Sequence, residues 1–129
     1  MENLISKFNV KKEKVKMTET HEKDTVFMNI YDTSWSKPTK EQKALLNWSS
    51  KNPPKCSFCK NNAIGLLHVV KADIKSLAKN RLVRLAIGCQ DCNVGQNSFY
   101  ELKLEEKTDV LKTKQTCSKQ IMFILDSKL

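Results

Sequence analysis

Cys56-Ser57-Phe58-Cys59 and, twenty-nine residues later, Cys89-Gln90-Asp91-Cys92 are the two stretches that organise this chain. In each, a C-x-x-C spacing lets one tight turn aim two thiolates at the same point, and two such pairs make up a four-sulfur tetrahedral shell. Lys55 and Lys60 flank the first pair, where positive charge favours the thiolate form. Gly88 precedes Cys89, giving the backbone freedom where a knuckle needs it. The spacing predicts one structural Zn2+ held by Cys56, Cys59, Cys89 and Cys92. With four protein ligands such an ion has no open position for water or substrate. Four thiols buried as small apolar side chains, or a redox dithiol, are the alternative readings.

Working outward, Ala63–Val70 is an apolar run suited to a strand buried on both faces. Arg81–Gly88 is a second strand, with Val83, Leu85 and Ile87 on one face and Leu82, Arg84 and Ala86 on the other. Ser98–Leu104 is a third, with Tyr100, Leu102 and Leu104 pointing inward. Thr25–Tyr31 is β-branched and aromatic and reads as another strand, followed by a turn at residues 32–34. Residues 38–49 read as a helix: Pro38 suits its first turn, Thr39 and Gln42 form a capping-box pair, and Ala44, Leu45 and Trp48 share a face. A short helix or turn is expected around residues 107–116, then a strand over the apolar run 120–125.

With its two knuckles at the ends of antiparallel strands, the stretch 54–105 resembles the zinc-ribbon family. The resemblance implies a ribbon of the strands at 63–70, 81–88 and 98–104. Members occur in transcription factors, RNA polymerase subunits, ribosomal proteins and small viral proteins. This chain departs from the family pattern in lacking a glycine after each pair, where Lys60-Asn61 and Asn93 stand instead. The expected fold is therefore α+β: a small antiparallel zinc ribbon with one short N-terminal helix. Residues 1–24, rich in Lys and Glu and without an apolar period, are expected to be a disordered basic tail. Residues 25–129 are expected to form one zinc-ribbon-containing domain.

The chain has 129 residues and a net charge of +9. Residues 37–84 carry nine lysines and two arginines against Glu41 and Asp73, so the whole surplus falls there. A localised basic surface fits a polyanionic partner, although solubility alone is also served by charge. Lys71, Lys75 and Lys79 recur every four residues, with Arg81 and Arg84 next; with Lys55 and Lys60 they are the candidate nucleic-acid contacts. Phe58, Trp35 and Trp48 are aromatics able to stack on a base, with Trp48 better suited to a core. His68, mid-strand, reads as a core histidine, His21 has no partner signal, and Cys117 reads as a buried thiol.

No apolar run reaches the roughly 18 residues of a membrane span, and no export signal opens the sequence. The expectation is an intracellular protein of nucleus or cytoplasm. No phosphate loop, nucleophile series or zincin motif is present, and acids are sparse in the basic segment, so no enzyme is expected. The leading function is a zinc-binding, nucleic-acid-associated protein of transcription or RNA metabolism, acting alone or as a small subunit of a larger polymerase or transcription complex. The rivals are a protein–protein interaction module and, on size and composition, a resemblance to the small cysteine-rich regulators of plant RNA viruses, which include silencing suppressors.

Overall fold

The computed structural model describes residues 17–30, 35–49, 51–72, 81–93 and 101–117. Their strands join one seven-stranded antiparallel sheet. In chain order these are β1 (Thr18–His21), β2 (Val26–Asn29), β3 (Trp35–Ser36), β4 (Gly65–Lys71), β5 (Arg81–Gly88), β6 (Glu101–Lys103) and β7 (Thr108–Cys117). The order across the sheet is β1-β7-β5-β4-β2-β6, with β3 pairing β4 beside β2.

β4 and β5 form the centre, as their apolar sequences predict. Leu66 pairs with Ile87, Leu67 with Ala86 and His68 with Leu85. Leu66, Leu67, Val69 and Val70 are all fully buried, so β4 is covered on both faces. On one face Leu67, Val69 and Ala86 pack with Phe27, Leu102, Val110 and the cysteine segment. On the other, Leu66, Ile87 and Leu111 meet Leu46 and Trp48, while Met28, Val70, Val83 and Cys117 form a neighbouring cluster. Burial of this kind contributes about 1.5–3 kcal/mol per large apolar side chain.

The helix, α1, is shorter than the sequence suggests, Lys40–Leu45. Thr39 Oγ1 accepts from Gln42 N at 3.1 Å and Gln42 Oε1 accepts from Thr39 N at 2.9 Å, which is the expected capping box. Asn47, at φ 55°, stops the helix in the left-handed region that Asn tolerates. Ala44 and Leu45 are exposed; Leu46 and Trp48, just past the helix, do the packing.

Four expectations need correction. The α+β class with a small ribbon is replaced by a sheet that spans nearly all the described residues, with α1 the only α-helix among them. Residues 108–117 are a ten-residue strand on the outer side of β5, where a helix or turn was expected. The third ribbon strand does not join β4 and β5, because β6 pairs with β2 instead. The tail expected to be disordered over 1–24 contributes β1, in which Thr18 to His21 pair with Leu111 to Thr108. Its polar sequence hid it, since Glu19, which holds His21, is itself satisfied by Arg84 far along the chain. Residues 1–16, the turn at 32–34, Tyr100 and the run 120–125 lie outside the described residues. No helix among them is long and apolar enough to cross a membrane.

Candidate metal centre

The β4–β5 register brings the two cysteine pairs together. Gly65 opposes Gly88 at one end of the hairpin, so the segment entering β4 and the segment leaving β5 meet there. The first knuckle is tied down by backbone bonds: Cys56 N donates to Asn61 O at 2.8 Å, and Lys55 bridges Asn62. Ser57 N donates to Ile87 O at 2.9 Å, fixing the knuckle to β5. Phe58, inside the knuckle, is buried and meets Phe27 edge-on, with ring centroids 6.3 Å apart. It packs into the core and presents no ring to solvent. The second knuckle is a single 3-10 turn, Asp91–Asn93, in which Asn93 N donates to Cys89 O and Gln90 O.

The four sulfurs lie within 4.8 Å of one another. Cys59 Sγ is 3.4 Å from Cys89 Sγ and 3.8 Å from Cys92 Sγ. Such a cluster is placed to hold one metal ion. Cys56 and Cys89 are buried, Cys59 and Cys92 half-buried. Amides point at the sulfurs: Phe58 N lies 3.4 Å from Cys56 Sγ and Asn61 N 3.5 Å from Cys59 Sγ. Without a cation the thiols share their charge unequally. Hydrogen bonding from Cys92, against the opposing effect of burial, pulls the Cys56 thiol down to about 5. Burial pushes Cys59 up to about 11, and the bond Cys92 donates to Cys56 raises Cys92 further still. A bound cation is what lets all four thiols ionise together.

Two asparagines support the site, and sequence reasoning did not single out the first. Asn29, 2% exposed on β2, donates from Nδ2 to Cys92 O at 3.2 Å and to Asn93 Oδ1 at 3.3 Å. A polar residue ending an otherwise apolar strand was the available signal. Asn61 joins the knuckles, its Nδ2 lying 3.8 Å from Cys89 Sγ and 3.1 Å from Asp91 Oδ2. Both stand where outer hydrogen bonds orient metal ligands.

The candidate nucleic-acid contacts among the described residues differ in exposure and position. Lys55 and Lys60 are exposed beside the first knuckle, with Lys55 Nζ donating to Asn62 Oδ1 at 2.8 Å. Lys71, at the far end of β4 about 20 Å along the strand, is half-buried. Arg81 is buried. Arg84 is a two-pronged partner of Glu19, Nε to Oε1 at 3.0 Å and Nη2 to Oε2 at 3.2 Å. Lys75 and Lys79 lie outside the described residues. His21, which carries no partner signal in the sequence, is buried, with Nε2 2.7 Å from Glu19 Oε1 and its ring edge-on to Phe27. Burial raises the Glu19 carboxyl, but the bonds from Arg84 and His21 outweigh it and hold the group below its ordinary range.

Exposed lysines concentrate elsewhere. Lys37, Lys40 and Lys51 flank α1 and, with Lys55 and Lys60, are all exposed. Leu45, Leu46, Lys55 and Lys60 line one groove of about 800 Å³, which places α1 next to the first knuckle. Glu105, Glu106 and Asp109 line it as well.

Comparison of the chain with protein-family models, with curated proteins and with solved structures finds no match to any of them.

Proposed function

We propose that this protein is a zinc-clipped, non-enzymatic factor that binds nucleic acid through the lysines on α1 and the first knuckle. The observation that carries the metal half is the sulfur geometry. A tetrahedral ion with bonds of about 2.3 Å to each sulfur has S···S edges of about 3.8 Å. The 3.4 and 3.8 Å contacts lie near that edge, and all four sulfurs fall within 4.8 Å, so a zinc ion fits with side-chain adjustments. Four thiolates in a reduced protein favour zinc over the hard, oxygen-seeking cations. Cys56, Cys59, Cys89 and Cys92 would hold the ion, and its contribution is structural.

The nucleic-acid half rests on charge. Five exposed lysines between residues 37 and 60, with Glu41 the one acid in that segment, suit a phosphate backbone. Binding should be salt-sensitive and indifferent to sequence, since lysine supplies point charges and no base-reading fork. The test is retention of zinc-loaded protein on DNA and RNA at low salt. Loss of retention in a Lys37→Glu, Lys40→Glu, Lys55→Glu, Lys60→Glu variant that keeps its zinc supports the reading. No retention of the parent protein sinks it.

A second reading, a protein-docking module, draws on the groove beside the first knuckle and on Leu45, which is 43% exposed at its rim. Under it, the four-lysine variant would keep its protein partner and Leu45→Glu would lose it. A place in transcription or RNA metabolism, in nucleus or cytoplasm, follows from the first reading and fails with it.

A further inference from the structure

We infer that Trp35 is a stacking platform that directs the basic surface toward single-stranded nucleic acid. The inference rests on the nucleic-acid reading above and adds the form of the polymer bound.

Trp35 is 38% exposed, in a residue type that buries most of its surface when packing is its only task. It is nonetheless held in place. β3 pairs it with Leu67 of β4, and directly opposed residues of an antiparallel pair share a face. Leu67 belongs to the core that contains the cysteine cluster, so Trp35 stands on the metal-bearing face. Its ring lies across Gly65, so close that a Cβ at residue 65 would overlap the indole. The ring is thus seated against backbone at Gly65 and keeps 38% of its surface exposed. Ser36 Oγ, 3.3 Å from His68 Nε2, pins the other residue of β3.

The surroundings supply charge. Lys37 follows two residues later, Lys40 opens α1, and Gly65 lies five residues beyond Lys60 of the first knuckle. An indole held against backbone and part-exposed, with exposed lysines two and five residues along the chain from it, suits a single strand: lysines follow the phosphates and an unpaired base stacks on the ring. A duplex keeps its bases stacked inside and offers the ring nothing. The lysines alone would bind both forms.

The experiment uses the full, zinc-loaded chain in a Trp48→Phe background, so that emission comes from Trp35 alone. A short single-stranded oligonucleotide and its duplex are titrated separately, each at several salt concentrations. The expected result is quenching of Trp35 by the single strand and none by the duplex. Trp35→Leu keeps an apolar cover on Gly65 but cannot stack. It should weaken single-strand binding about tenfold and leave duplex binding and both salt slopes unchanged, since slopes count phosphates. Zinc content and circular dichroism matching the parent establish that this variant is folded; Trp35→Phe, which stacks less strongly, should bind with intermediate affinity and serves if Trp35→Leu does not fold. Equal affinity for both forms with no quenching, or a folded Trp35→Leu that binds single strands as the parent does, overturns the inference while leaving the nucleic-acid reading intact. Failure of both polymers to bind overturns both.

Discussion

Replacing Cys89 by Ser, beside the same replacement at Cys117, separates a metal site from a set of buried thiols. Both residues are buried, at 2% and 8% exposure. Cys89 lies 3.4 Å from Cys59 and within 4.8 Å of the other two sulfurs, whereas Cys117 ends β7 in the cluster of Met28, Val70 and Val83. If the four sulfurs hold zinc, Cys89→Ser removes a quarter of the shell. Structural zinc contributes an apparent 10–16 kcal/mol or so at neutral pH, while a whole domain is stable by about 5–15 kcal/mol. Loss of most of that contribution should leave the chain unfolded or without fixed packing around the knuckles. Cys117→Ser should cost only the burial of a hydroxyl, about 1–3 kcal/mol, and keep one zinc per chain. The assay is metal content by elemental mass spectrometry together with a urea midpoint. Equal zinc and equal midpoints in the two variants would refute the metal reading, because buried thiols of similar exposure would then be interchangeable.

Three further outcomes are expected. Asn29→Ala, which removes both hydrogen bonds to the second knuckle, should lower zinc affinity by about 10- to 100-fold in competition with a chromophoric chelator, and an unchanged affinity would count against its supporting role. Because the Glu19 carboxyl is depressed in the folded state, its contribution to stability is present above the ordinary carboxylate value of about 4.3 and disappears as pH falls through the folded value. The urea midpoint of Glu19→Gln should therefore differ from that of the parent near neutrality and converge on it in acid; a constant difference would contradict the pairing with Arg84 and His21. Gly65→Ala places a methyl against the Trp35 ring and 2.7 Å from Ser36 O, so it should cost about 1–3 kcal/mol and shift Trp35 emission; a neutral substitution would mean the ring does not rest there.

What was legible in the sequence was local. The cysteine spacing identified the four sulfurs that converge, because a C-x-x-C turn and a hairpin are enough to bring them together. β4 and β5 were legible because Leu66 to Val70 and Val83 to Ile87 are apolar apart from His68 and Arg84. β1 and β7 were not. Of the ten residues of β7 only Val110, Leu111 and Cys117 are buried, and an irregular register against β5 breaks the alternation that marks a strand. Thr108, Val110, Thr113 and Thr116 were the β-branched signal that its lysines obscured. β1 is polar throughout; Glu19 is satisfied by Arg84, sixty-five positions away, a partner no local window contains. The arginines show the same limit: their charge is visible in sequence, whereas the burial of Arg81 and the pairing of Arg84 with Glu19 are not.

The position of β7 in the sheet bears on how the chain leaves the ribosome. β5 is complete at Gly88, and its outer neighbour ends at Cys117. Translation at about 5–20 residues per second leaves the outer edge of β5 without its complete partner for roughly 1.5 to 6 seconds. During that interval the hairpin presents a row of open amides and carbonyls to any other extended strand nearby. The second cysteine pair follows within four residues of Gly88, so if the four sulfurs hold zinc, its capture would fix the hairpin's register while the edge is still bare. A cell short of zinc would then meet this protein first as an aggregation problem in newly made chains, before any shortage of finished protein.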